Sequence, residues 1–317
     1  MTLTRGARIT GAVLCAALAV IVGGWIVRDL GALDDPLGLW RFWTGGGRRG
    51  AGSARLATSL ETLLLLAVYV CVGAAALRPN AGAAAPAVAG IVTIALWIPG
   101  LWVLSSSWMD LRATDDLRTR ALYCVFAATG LGVGLLIVAA AGRQAPTRPL
   151  RPQRGSGLLA AVLLGASAVV LAGWEIHAAA GSGGRAYLDR FTGSRSVMLP
   201  PLGTPPGWLA AVIVLLAVVA GSAALSQAAF ARPLGLVSAL LILGEGARGV
   251  DAAVRNDLVP RLGELSGLDQ LLVLSWLFEA AAGVLLLVVL VRREPAVRPV
   301  YGWAPGPPPP SRPPPGW

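Results

Sequence analysis

The chain contains no lysine: all 26 of its basic residues are arginine. Without lysine there is no Walker-type phosphate loop, which ends its glycine-rich turn on one. Only one histidine, His177, stands among 317 residues, too few for a histidine-rich metal site. The three cysteines, Cys15, Cys71 and Cys124, all fall inside apolar runs and form no C-x-x-C, so they read as small buried residues rather than zinc ligands or a redox pair. No serine or cysteine stands in a recognisable nucleophile setting. An enzyme is therefore the least supported class, and neither a cofactor nor a bound metal is expected.

Charge is scarce as well. Charged residues make up 13% of the chain, against about 25% in soluble domains. Hydrophobic residues make up 56%, and mean hydropathy is +0.69. Several apolar runs reach the roughly 20 residues a helix needs to cross a bilayer, so the expected solvent is lipid. The net charge of +10 does not indicate nucleic acid, because the arginines lie in short loops beside apolar segments, where basic residues orient a membrane protein. The exclusive use of arginine, with abundant Ala, Gly and Pro, fits a GC-rich bacterial genome.

What is present is organised around a stretch that occurs twice. Residues 110–120 read D-L-R-A-T-D-D-L-R-T-R and residues 251–261 read D-A-A-V-R-N-D-L-V-P-R. At one offset Asp110 matches Asp251, Asp116 matches Asp257, Leu117 matches Leu258 and Arg120 matches Arg261. At a second offset Gly24-Trp25 matches Gly173-Trp174 and Arg41-Phe42 matches Arg190-Phe191. The expectation is an all-α, polytopic integral membrane helix bundle of about eight transmembrane helices, arranged as two parallel four-helix repeats over 1–141 and 157–291. A basic linker (142–156) joins them, and a Pro-rich tail (292–317) follows.

The runs are Ile9–Val27, Leu56–Leu77, Ala83–Ser105, Ala121–Ala141, Gly157–Trp174, Trp208–Ala231, Pro233–Val250 and Leu268–Val291. The first has the basic start of a signal peptide, but it is long for one and lacks an A-x-A site, so a retained helix is expected. Asp35-Pro36 signals a helix start, and Leu37, Leu39, Trp40, Phe42 and Trp43 suit a short helix lying in the interface. Gly38-Leu39-Trp40 resembles the claudin loop motif, but the paired cysteines that follow it there are missing. Arg78-Pro79 and Arg232-Pro233 are expected to end the second and sixth runs. Pro99-Gly100 should kink the third, as a static kink healed by neighbouring helices or else as a hinge. Gly130, Gly132 and Gly134 should permit close packing of the fourth.

Arg143, Arg148, Arg151 and Arg154 in the linker place it, and both termini, in the cytoplasm. Cytoplasmic segments then carry 12 arginines and one acid (Glu294), against 14 arginines and 15 acids elsewhere. The tail should be extended polyproline II, solvating or serving as a docking peptide for a cytoplasmic protein.

An ionisable side chain within lipid is costly and needs a partner or a use. Four candidates follow: Glu61 in the second run, Glu245 and Arg248 one helical turn apart in the seventh, and Glu279 near the middle of the eighth. The plainer expectation is a self-paired stripe in which Arg248 neutralises Glu245 or Glu279. The sharper one is a cation or proton site with Glu279 as the titrating group, Glu61 having no evident partner in its own half. The repeated Asp110, Asp116, Arg120, Asp251, Asp257 and Arg261 should face outward. They would form capped loops with local ion pairs, or else bind a divalent cation. Two functions stay open: a membrane scaffold with a recruiting tail, and a small-solute or ion permease with a site between the halves.

Overall fold

The computed structural model describes residues 2–33, 35–46, 56–78, 82–144 and 154–292. The basic linker between 145 and 153 and the tail beyond 292 lie outside the described residues. The first half holds α1 (Arg5–Leu33), α2 (Pro36–Trp43), α3 (Leu60–Ala76), α4 (Ala84–Trp97), α5 (Gly100–Val103) and α6 (Asp115–Ala141). The second holds α7 (Arg154–Ser182), α8 (Gly184–Thr192), α9 (Pro206–Leu225), α10 (Ala231–Arg255) and α11 (Gly267–Val291). Thr2–Leu3 pairs antiparallel with Arg143–Gln144, tying the chain start to the end of α6.

Seven of these helices, α4 and α5 counting as one, are long and apolar enough to cross a membrane; α3 is apolar but only 17 residues long. At 1.5 Å per residue α3 spans about 25 Å, slightly less than the hydrocarbon core. The outward surface is apolar too: Val20 is 74% exposed and Val169 72%. In water such a surface would drive aggregation; in lipid it is matched to its solvent. The chain is thus a multi-pass helical membrane protein.

Most helices overrun the apolar segments that announce them. α6 begins six residues before the apolar run, where the Thr114 side chain caps the Leu117 amide, and α7 runs past Trp174 to Ser182. A helix does not stop at the edge of the hydrocarbon, since its polar first or last turn is satisfied by headgroups and water. Arg232-Pro233 does not end the sixth run. α9 stops at Leu225, the chain turns through Gln227 (φ 53°), and Pro233 falls in the first turn of α10, where the missing N–H costs nothing. Asp35 caps α2 as its sequence announces, its carboxylate accepting from the amides of Leu37 and Gly38 at 2.9 Å each.

In the first half α1 packs on α3 and α6, and α4 packs on α6 and α3. In the second α7 packs on α9 and α11, and α10 packs on α11 and α9. The tightest approach is α10 on α11, where a Cβ added at Gly246 would lie 2.2 Å from the Ala280 amide nitrogen. On α4 a Cβ at Gly90 would lie 2.7 Å from the Gly132 carbonyl oxygen. Of the three glycines expected to pack α6, Gly132 carries this contact, while Gly130 faces open space. The halves meet where α3 and α4 contact α9 and α10.

One end of the bundle is closed by arginines on helix-terminal carbonyls. Arg8 donates to Arg78 O, Arg143 to Ala139 O, and Arg232 to Leu290 O and Val291 O. A cation there complements both the orphan carbonyls and the helix dipole.

Candidate functional site

Three of the four intramembrane candidates meet at the junction of the halves. Glu61 sits in the first turn of α3, set there by Ser59, whose amide bonds the Thr62 hydroxyl at 3.1 Å. Arg248 reaches from α10 and pairs with the Glu61 carboxylate. The same guanidinium also reaches Glu245, one turn earlier on α10, at 3.3 Å. The partner that Glu61 lacks in its own half thus comes from the other half. Of the two partners expected for Arg248, Glu245 is met and Glu279 is not, so this arginine does not tie α10 to α11. Small residues hold those two helices together instead.

Glu279 is 3% exposed, at the middle of α11, and no described residue forms a hydrogen bond or ion pair with its carboxyl. Gly246, which packs on the Glu279 backbone, directly follows Glu245 on α10, and α7, which also packs on α11, carries Glu175. Glu175 on α7 belongs to the group although the sequence did not single it out. Its partner is Arg190 on α8, and its second carboxylate oxygen is buried without a hydrogen bond. The signal was there: a glutamate beside Trp174 and an arginine beyond the glycines at 181–184, a hairpin apart.

A small crevice opens beside Glu61, lined by Thr62, Trp97, Gly100, Val125 and Thr204 among others. Its wall is built from both halves. The break of α4 at Ile98-Pro99 removes the amide that would bond Ala95 O. Trp208 donates its indole N–H to that carbonyl at 2.7 Å, and the Thr204 hydroxyl donates to Leu96 O at 3.2 Å. The kink is healed, as expected, and by the other half of the chain.

The two copies of the acidic stretch lie in different local structures. Asp110 is in a 3-10 turn (Ser107–Leu111) and pairs with Arg118 at 2.7 Å, while Asp116 opens α6 and pairs with Arg120 at 3.0 Å. Asp251 lies in the last turn of α10, pairing with Arg255 at 2.7 Å and accepting from the Trp40 indole at 3.1 Å. Asp257 sits in a left-handed turn (φ 52°) whose carbonyl accepts from Arg261 at 3.2 Å. Among the described residues no cluster of three His, Cys, Asp or Glu side chains is placed to hold a metal ion.

A buried carboxylate went unmarked in the sequence. Asp29, at the end of α1, is fully buried and accepts from Ala57 N (2.9 Å), Thr58 N (2.7 Å) and the Thr58 hydroxyl (2.7 Å), with Arg28 beside it at 2.6 Å. It anchors the extended lead into α3 and hence the position of Glu61.

The tryptophan of each Gly-Trp dipeptide bonds a later helix of its own half. Trp25 on α1 donates to the Cys124 sulfur on α6 at 3.2 Å, and Trp174 on α7 donates to the Ser275 hydroxyl on α11 at 3.0 Å. His177 stacks edge-on against Trp174. Compared with protein-family models, with curated proteins and with solved structures, the chain finds no match.

Proposed function

We propose that this protein is a non-enzymatic membrane scaffold: a rigid platform of eight spans, α3 included, in two parallel four-helix repeats. In this reading it lies in a bacterial plasma membrane with both termini cytoplasmic, and its Pro-rich tail recruits a cytoplasmic protein. The observation that carries the reading is the Glu61–Arg248 pair across the junction. Rocking one half against the other, as alternating access demands, would separate two largely buried charges. Trp208 on Ala95 O, and Arg255 on Thr44 O at 2.8 Å, bind the same junction toward one end. The repeat is supported by the like pairing of helices in the two halves and by the matched Trp25 and Trp174 bonds. The arginines on carbonyls at one end support the orientation.

The test is a spin-label distance measurement between one exposed position in each half, Leu111 and Val254, with the native cysteines replaced. A platform gives one narrow distribution, unchanged by pH or by added solutes. Two distributions that exchange weight would discard the platform. The second reading, a small-solute or ion permease, draws on Glu279, a buried carboxyl that pairs with no described residue.

A further inference from the structure

Four carboxyl groups gather in and beside the second half: Glu61 from α3, Glu175 from α7, Glu245 from α10 and Glu279 from α11. Two guanidiniums face them, Arg248 between Glu61 and Glu245, and Arg190 on Glu175. Both cations are therefore committed elsewhere, and neither ion-pairs with Glu279. Other charged or titratable groups on the packed elements lie toward the helix ends: Asp251 and Arg255 bonded to each other and Arg232 on the last carbonyls of α11, all three from α10, Asp269 at the first turn of α11, and His177 against Trp174 on α7. Glu279 itself is held against α10, its backbone beside Gly246.

A carboxylate buried in this way, with no counter-ion and with like charge as its neighbour, has an electrostatic cost that no described contact offsets. A metal ion would offset it, but the described carboxylates are not grouped closely enough to ligate one. The remaining occupant is the smallest. We propose that Glu279 is a proton-binding site, carrying a proton as a neutral carboxylic acid at neutral pH within the Glu61–Glu175–Glu245 group. The inference goes beyond both readings of function, since the charge imbalance exists whether the chain is a platform or a permease.

The test is infrared spectroscopy of the full chain in lipid vesicles at neutral pH, in H2O and in D2O. The expected result is a protonated-carboxyl C=O band that shifts in D2O, is lost in E279Q and persists in E245Q. E279D keeps the acid and moves the band rather than removing it, so the assignment does not depend on the amide variant folding. Absence of such a band from the wild type would overturn the proposal. So would a band that is unchanged in both E279Q and E279D. A wild-type melting temperature raised by sodium, potassium or ammonium, with no protonated band and no such rise in E279Q, would assign the site to a cation instead.

Discussion

Trp208 donates its indole N–H to the Ala95 carbonyl, 2.7 Å away on a helix of the other half. That carbonyl is free only because Pro99, four residues on, has no amide to give it. The proline break and the tryptophan form one device, and the device crosses the junction. Trp208→Phe should destabilise the protein by about 1–3 kcal/mol, the usual cost of leaving a buried carbonyl unpaired. Pro99→Ala restores an amide to Ala95, so Trp208→Phe should cost clearly less in that background. Thermal unfolding of the four proteins in detergent reads the coupling.

Arg248→Met should be among the most damaging single changes. It leaves Glu61 and Glu245 without their shared cation, and removing one partner of a buried pair costs about 3–5 kcal/mol. Adding Glu61→Gln and Glu245→Gln should return most of that stability, because the orphaned charges go with the cation. If the triple variant is no more stable than Arg248→Met, the cost lies in lost packing and the electrostatic account is wrong.

Asp29→Ala should cost more than Asp35→Ala although both are caps of a kind. Asp29 is fully buried and holds three donors from Ala57 and Thr58, so its loss should exceed about 3 kcal/mol. Asp35 caps the short helix α2 at an exposed site, and its loss should cost about 1 kcal/mol. Chemical denaturation of both variants decides the order.

Gly246→Leu should unfold or loosen the second half, since its side chain would enter the backbone of α11. Gly130→Leu, on a face with nothing within 4 Å, should be tolerated within about 0.5 kcal/mol. Equal effects on melting temperature would contradict the packing described. Cys124→Ser should be close to neutral as well, because a hydroxyl can take the sulfur's place as acceptor for the Trp25 indole, as Ser275 does for Trp174.

Much of the fold is legible in the chain. Ile9–Val27 and Leu268–Val291 announce α1 and α11 because an apolar run of that length has only one stable form in lipid, a helix that satisfies its own backbone. Asp35-Pro36 announces α2 through a local bond from a side chain to amides two and three residues on. The helix ends were less legible. α6 starts six residues before its apolar run, and Pro233 opens α10 rather than closing α9, because a helix boundary depends on caps and turns as well as hydropathy.

The site was legible in kind but not in pairing. Glu61, Glu245, Arg248 and Glu279 stand out because ionisable groups are rare in apolar runs. That Arg248 belongs to Glu61, 187 residues away, is written in no local pattern. The resemblance of 110–120 to 251–261 shows the opposite limit, since similar strings took up a 3-10 turn with a helix start in one place and a helix end with a left-handed turn in the other.

By itself the sequence determined that this chain partitions into lipid, that it does so as helices, and which few residues carry charge there. Those outcomes follow from composition and from hydrogen bonds within one segment. The tertiary structure alone decided that Arg248 would serve Glu61, that Trp208 would heal the Pro99 break, and that Glu279 would pair with no described residue. Those outcomes depend on which helix faces lie against each other, and packing of small residues such as Gly246 and Gly132 sets those faces across the whole bundle rather than along any one segment.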